Sequence, residues 1–461
     1  MVVSKNSAVS LSLDHQFQTS LKSSIAEHSL ESSAFFVAVS GGVDSCVLLH
    51  AMNEVAKELN IELHSIHFNH GLQSESDNWE KFVQDYAKQL DIDCQSKKAV
   101  FSIDKSIGLE ASARKERYNW FVHLLSDFQN NNAKQAVLLT AHHSADQAET
   151  IISNILRGTG VKGLRGIASV KQLSDIIMLR PLLDFDKQDI LNYAREHGLK
   201  WVEDPSNQNT YYKRNAIRHH VMPELEKIQA NSVTQFAKLS HKMTDVENIL
   251  SEVAAADLAL TKLYDFSPFD QSFGLAFEGL RHLSIARQLN AIRYWLDFVG
   301  FPAESEMDLL KVLDWSLNGA SSGAELRRGY RSYRYYRDVL YVMPSVQERL
   351  DNKDSTAYVA KWNDTANGLL VDIYQAELRQ VDSKSLSQYE LKVLQRADAK
   401  TILLGKSEKH INVKNCLQDA GVPPWRRDDV LFLSDKNGYF LEVVGGQKSG
   451  KFTLHSIVSK K

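Results

Sequence analysis

Between residues 34 and 201 short apolar runs alternate with amphipathic stretches. That alternation predicts a parallel β-sheet with helices on both faces. The run AFFVAVS at 34–40 carries no charge and reads as a buried strand, with a helix to follow over 44–59. IELHSIHF at 61–68 predicts a second strand and residues 76–90 the next helix. AVLLTAHH at 136–143 predicts a later strand that runs into a helix over 145–156.

Further on, the periodicity of 211–253 turns helical, and Pro223 marks a helix start. Residues 257–344 read as largely helical and end in RRGYRSYRYYRDVLYV, a dense Arg/Tyr run before a strand-like stretch. A polar linker is expected at 347–355, and residues 356–461 are richer in short strands and turns. The expected fold class is α/β: a doubly wound parallel sheet over 1–220, a mainly helical domain with its connector over 221–345, and a small α+β domain over 356–461.

Composition agrees with several domains. The chain has 461 residues, 43% hydrophobic and 24% charged, which excludes a disordered or fibrous protein. Its net charge of -3 gives no global nucleic-acid signature, so any RNA contact must come from local patches. The three cysteines, Cys46, Cys94 and Cys416, form no CxxC pair, so neither a disulfide framework nor a zinc or iron–sulfur site is expected. No signal-peptide core or run of about 18 apolar residues is present, so no membrane partner and a cytoplasmic location are expected.

The first candidate chemistry follows the first strand. SGGVDS (Ser40, Gly41, Gly42, Val43, Asp44, Ser45) leaves a buried strand and opens a helix. Backbone N–H groups and the positive end of the helix dipole then face an anionic ligand, and the glycines present no Cβ to obstruct it. Ser40 and Ser45 add hydroxyl donors, while Asp44 makes sense beside phosphate if it holds Mg²⁺. The loop lacks the lysine of a GxxxxGK[ST] frame, which disfavours a P-loop GTPase or ATPase.

Further polar groups emerge where strands end, the usual ligand edge of an open α/β sheet. HFNHGL supplies His67, Asn69 and His70; LEASARKERYNWF places Glu110, Arg114 and Arg117 at helical spacing; TAHHSADQAET supplies His142, His143, Asp146 and Glu149. His142 suits a donor to an α-phosphate as negative charge accumulates. Asp146 and Glu149 suit either a second metal-ligand role or that of a base toward an attacking amine, against the plainer reading of acids favoured by a helix dipole. Arg331 and Arg334 in the Arg/Tyr run, and Arg426 and Arg427 after Trp425, are candidate RNA contacts, against the plainer reading of an amphipathic edge strand.

SGGVDS resembles the signature of the PP-loop ATP pyrophosphatases, which cleave ATP between the α- and β-phosphates. With HFNHGL, LEASARKERYNWF and TAHHSADQAET in this order, and with LRGTGVKGLRG, RPLL and EDPSNQNTYYKRNAIRHHVMPEL downstream, the chain is identified as a member of the tRNA(Ile)-lysidine synthetases. KNCLQDAGVPPWRRDDVLFL resembles the last domain of that family's long bacterial members. Gln73 stands where the family usually has Arg, and Ala145 where many members have an acid.

The resemblance implies ATP and Mg²⁺ as cofactors and a CAU-anticodon isoleucine tRNA and free L-lysine as partners, and leaves room for a homodimer. The implied reaction adenylates the wobble cytidine and then ligates lysine to its C2 carbon, giving lysidine. It also implies catalytic roles for Asp44, Arg114, His142, Asp146 and Glu149, ATP contacts from the loop with His67 and Asn69, and RNA contacts from Arg214 and Arg218. The rival readings are a tRNA thiolase of the same PP-loop group, whose usual paired cysteines are missing here, and a non-catalytic RNA-binding protein on this fold.

Overall fold

The computed structural model describes residues 12–71, 73–99, 109–265, 273–302, 305–319 and 324–345, with shorter pieces at 392–395, 401–404, 410–412, 414–415, 418, 423–425, 431–434 and 439–444. The chain divides into two compact units, residues 1–247 and 248–461.

The first unit is built in the order α1 (Leu13–Glu27), β1 (Ala34–Ala38), α2 (Val43–Leu59), β2 (Glu62–Asn69), α3 (Ser76–Gln89), β3 (Asp93–Lys98), α4 (Leu109–Asn132) and β4 (Ala136–Leu139). It continues with α5 (Ser144–Ile155), α6 (Val161–Leu164), β5 (Val170–Leu173), β6 (Ile176–Leu179), α7 (Lys187–Glu196), α8 (Lys213–Ala216), α9 (Met222–Ile228) and α10 (Ser232–Ala259), the last crossing into the second unit. The six strands lie in the order β3-β2-β1-β4-β6-β5, all parallel except β5, which runs antiparallel to β6. The doubly wound sheet is as expected from the sequence.

The uncharged run of β1 is explained by its place at the centre of the sheet, between β2 and β4. Phe35 and Val37 enter the core under α1, α2, α3 and α7, while Ala34 and Phe36 enter the core under α4. Successive residues of a strand point to opposite faces, so a strand covered on both sides has no polar positions to spare. After β1 the chain moves first to one side of the sheet and later returns to the other at β4. The crevice at the carboxyl ends of β1 and β4 is therefore the topological switch point, where such sheets bind ligands.

The strand expected to reach residue 143 ends at Leu139. Thr140 still gives its N–H to the carbonyl of Leu179, 3.1 Å away, and the chain then leaves the sheet. That early exit puts His142 and His143 in the switch-point loop rather than in the ladder.

The second unit adds an antiparallel sheet to the helices expected there. Strands β7 (Leu263–Asp265), β8 (Phe273–Ala276), β9 (Glu325–Arg328), β10 (Arg331–Tyr336) and β11 (Val339–Pro344) pair in the order β7-β8-β11-β10-β9. Helices α11 (Ile285–Phe298) and α12 (Glu306–Asp314) share a core with the sheet through Trp295, Leu309, Tyr333 and Leu340. Arg337 and Asp338, both at positive φ, make the two-residue turn between β10 and β11. Beyond it the strands Lys392–Gln395, Thr401–Leu404, His410–Asn412, Leu431–Ser434 and Tyr439–Val444 form a third sheet, in line with the strands expected near the end of the chain. The linker expected at 347–355 lies outside the described residues.

Candidate active site

The loop after β1 is knitted by its own hydroxyls. Ser40 donates its N–H to Ser45 Oγ at 3.1 Å, and Ser45 Oγ donates to the Gly42 carbonyl at 2.9 Å. Ser45 is buried and Ser40 exposed, so Ser45 shapes the loop and leaves Ser40 facing outward. Gly42 is the N-cap of α2 and supplies no side-chain acceptor, which leaves the first-turn N–H groups of that 17-residue helix available to an anion.

The two glycines have different reasons. Gly41 sits at φ +93°, and a Cβ there would lie 2.8 Å from Val202 Cγ2; its carbonyl also accepts from the Val202 N–H at 2.9 Å. Gly41 is thus demanded by conformation and by packing. A Cβ on Gly42 would meet only Ser40 Oγ, at 3.5 Å, so Gly42 is the one that keeps the ligand side clear.

Asp44, in the first turn of α2, faces two groups from the starts of other helices. Lys187 Nζ, on the first residue of α7, is 2.5 Å from Asp44 Oδ1, and His143 Nε2 is 3.8 Å from the same oxygen. His143 is itself the N-cap of α5: Nδ1 accepts from the Ala145 N–H at 3.3 Å, and the His143 N–H donates to Asp146 Oδ2 at 3.0 Å. With Nδ1 accepting, a neutral ring carries its proton on Nε2, which lies 3.6 Å from Asp146 Oδ2 and so between two carboxylates.

His142 places Nδ1 3.1 Å from Thr140 Oγ1. Burial pushes its imidazole down to about 3, opposed by Asp146 and reinforced by Arg180, Arg214 and Arg114, so the ring is neutral at physiological pH. The donor role expected of His142 from the sequence therefore falls to a neutral N–H. Burial alone would raise Asp146, but His143, Arg214, His142 and the His143 N–H outweigh it and hold the carboxyl at about 2. A carboxylate that weak in basicity is a poor proton acceptor from an amine.

Asp146 and Glu149 are clamped from outside. Arg214 reaches Asp146 Oδ1 at 2.6 Å and Glu149 Oε2 at 2.8 Å; Arg218 reaches Glu149 Oε1 at 2.6 Å and Oε2 at 3.0 Å. The Glu149 side chain is 2% exposed, while both arginines keep more than a third of theirs in water. The segment carrying them is fastened by apolar contacts of Ile217 and Met222 with Ala148 and Ile152 of α5. A fully buried side chain of that size contributes roughly 1.5–3 kcal/mol.

Other predicted residues lie further out. Arg114 is exposed on α4 with its guanidinium 5.0 Å over the Tyr118 ring, and Arg117 lies 5.4 Å over the same ring. The side chain of Glu110 lies outside the described residues. His67 is buried with Nδ1 2.7 Å from the Val39 carbonyl, which ties β2 to the start of the loop. Asn69 is also buried: its amide donates to Asp77 and Glu80 and its oxygen accepts from the Gly71 N–H. His67 thus supports the start of the phosphate loop, and Asn69 fixes the turn that leaves β2. Lys187 was not anticipated from the sequence; the sequence signal for it is its position just beyond RPLL, after a strand that neighbours β4.

In the second unit Arg331 is 2% exposed, with Nη1 3.3 Å from the Phe301 carbonyl. This corrects its expected RNA contact, because β10 is an inner strand and the side chain enters the core beneath α11 and α12. Arg334 lies 3.5 Å from Glu325 Oε2 and 5.2 Å over the Trp425 ring. Arg426 and Arg427 lie outside the described residues.

No cluster of three or more His, Cys, Asp or Glu side chains suited to a metal occurs among the described residues. Magnesium needs fewer, since one or two carboxylates with substrate phosphates complete its shell. The hard carboxylate of Asp44, partly exposed beside open N–H groups, fits that requirement.

An uncapped helix start after a central strand, with Asp44 facing a lysine and a histidine from neighbouring strand ends, defines a PP-loop nucleotide-binding domain; the PP-loop domain family matches residues 13–225. The TilS substrate C-terminal domain matches residues 391–454. A tRNA(Ile)-lysidine synthase of Alkalilimnicola ehrlichii is 32% identical over 407 residues, covering 87% of each chain. Another from Hydrogenovibrio crunogenus is 31% identical and covers 89% of this chain and 93% of its own; one from Pseudomonas fluorescens is 36% identical over 58% and 59%. The chain belongs to the tRNA(Ile)-lysidine synthase family.

Proposed function

We propose that this chain ligates L-lysine to the C2 carbon of the wobble cytidine in the CAU-anticodon isoleucine tRNA, through an adenylated cytidine. Family membership makes it an ATP-using, tRNA-modifying enzyme, and the rival thiolase and non-catalytic readings are not favoured. The observation that carries the mechanism is the meeting of Asp44, Lys187, His143 and Asp146 at the switch point of the sheet.

In this reading the α2 N–H groups and Ser40 hold the leaving pyrophosphate, and Lys187 adds a cation beside it. Mg²⁺, when bound to Asp44 and the phosphates, would offset their charge. His142 donates a neutral N–H to the α-phosphate as charge accumulates during attack by the cytidine carbonyl oxygen. Arg114 adds positive field from α4, in keeping with its place among the cations that disfavour a proton on His142. Asp146 stays ionised, and with Glu149 it fixes Arg214 and Arg218, whose remaining N–H groups face the RNA backbone. The lysine amine then displaces AMP. Arg426 and Arg427 extend the RNA contact, with Arg334 bracing that patch through the Trp425 ring; the enzyme works in the cytoplasm, and a homodimer is compatible with this reading.

The test is incubation with ATP, Mg²⁺, radiolabelled lysine and total tRNA. Label is expected only in the CAU-anticodon isoleucine tRNA and is expected to disappear with Asp44→Asn. Pyrophosphate release without lysine incorporation would leave the fold reading standing and overturn the substrate.

A further inference from the structure

Tyr211 is 90% exposed, the most exposed large apolar side chain among the described residues. It does not dangle. Its N–H donates to Asn209 Oδ1 at 3.1 Å, and the Asn215 amide holds the carbonyls of Ser206 and Asn209 at 3.0 and 2.9 Å. His219 Nε2 lies 2.8 Å from the Asn207 carbonyl, and Asp204 caps the short turn Pro205–Gln208. Four side chains, those of Asp204, Asn209, Asn215 and His219, therefore spend polar groups on fixing one turn. Its product is an aromatic ring standing in water.

The ring is also oriented. Tyr212, half-buried, meets Tyr211 edge to face, with centroids 6.0 Å apart and planes at 80°. At 90% exposure the ring keeps its flat surface open to solvent. The neighbours are cationic: Lys213 and Arg214 follow directly, and Arg214 and Arg218 reach back to Asp146 and Glu149 of the candidate active site. The turn is thereby tied to the catalytic loop by charge-assisted hydrogen bonds. An exposed aromatic face beside Arg and Lys is what an unpaired base requires, because stacking is worth much per base and the cations neutralise its phosphates.

We infer that Tyr211 is a stacking platform for an unpaired base beside the cytidine delivered to the site, and so a positioning residue for the RNA substrate. This rests on the proposed RNA substrate. ATP is the competing occupant of the ring, and the test separates the two.

Full-length wild-type protein is compared with Tyr211→Ala, Tyr211→Phe and Tyr211→Leu, each checked for an unchanged melting temperature. Affinity is measured for the CAU-anticodon isoleucine tRNA and, separately, for ATP. Tyr211→Ala and Tyr211→Leu are expected to weaken tRNA binding roughly tenfold or more. Tyr211→Phe should stay within about twofold, and ATP affinity should not move in any variant. A 2-aminopurine placed next to the target cytidine is expected to be quenched by the wild type and by Tyr211→Phe only. Unchanged tRNA affinity in Tyr211→Ala, or a loss of ATP affinity instead, overturns the inference while the wild type still modifies tRNA. Failure of the wild type to bind tRNA at all overturns the substrate reading itself, and this inference with it.

Discussion

Lys187 and Asp44 lie 143 residues apart in sequence and 2.5 Å apart in space, each at the first turn of its own helix. The lysine thus neutralises the acid of the phosphate loop from the far side of β4. Both side chains are partly in water, 38% and 28% exposed, so the pair contributes about 0–1 kcal/mol to stability. Its value is expected in catalysis. Lys187→Ala should leave the urea midpoint nearly unchanged and slow pyrophosphate release on the order of 10²-fold, as loss of one positioned cation does. Equal losses in stability and in rate would show a purely structural pair.

The glycines of the loop should separate in the same way. Gly41→Ala forces a Cβ onto a positive φ and against Val202, at a cost of about 1–3 kcal/mol. Adding Val202→Ala should recover the clash but not the backbone strain. Gly42→Ala should fold normally, since its Cβ meets nothing closer than 3.5 Å, and yet bind ATP more weakly. Thermal melts with ATP titrations distinguish the two.

The phosphate loop was legible because an uncharged strand, two glycines and a helix start are adjacent in sequence, and local signals suffice. Lys187 was not, since nothing local tells a lysine at the start of a helix that its partner belongs to another strand. The Arg/Tyr run of β10 misled at Arg331 for a related reason. Alternating residues suggested one wet face, whereas α11 and α12 cover one side of that strand and Trp425 packs against Tyr336 on the other. The three- and four-residue strands of that sheet are too short to show period-two alternation, which is why residues 257–344 read as largely helical.

Glu149 is the most deeply buried member of a four-residue charge cluster, so its removal should be felt in stability. Glu149→Gln replaces two charge-assisted acceptors and leaves Arg214 and Arg218 underpaired, costing roughly 1–3 kcal/mol in urea denaturation. Arg214→Lys should also destabilise, because a lysine cannot span Asp146 and Glu149 as the guanidinium fork does. A neutral result for both variants would mean that the cluster is not formed in solution.

His142 gives a prediction with a defined sign. Its folded value near 3 lies below the ordinary 6.5, so the folded state disfavours the proton. The linked stability is complete above about pH 6.5 and is lost as pH falls from there through 3, because only the unfolded chain takes up the proton in that window. Asp146 acts in the same direction over a lower range, from its ordinary 3.8 down to about 2. Nitrogen-15 spectra of the histidine rings should therefore show His142 neutral at pH 5.5. If the Thr140 hydroxyl donates to Nδ1, the ring hydrogen sits on Nε2, the atom left to face a phosphate. A ring that titrates near 6.5 would instead place His142 in water and make it a charged donor at lower pH. In that case pyrophosphate release should rise as pH falls through 6.5, whereas the neutral ring predicts no such limb from this residue.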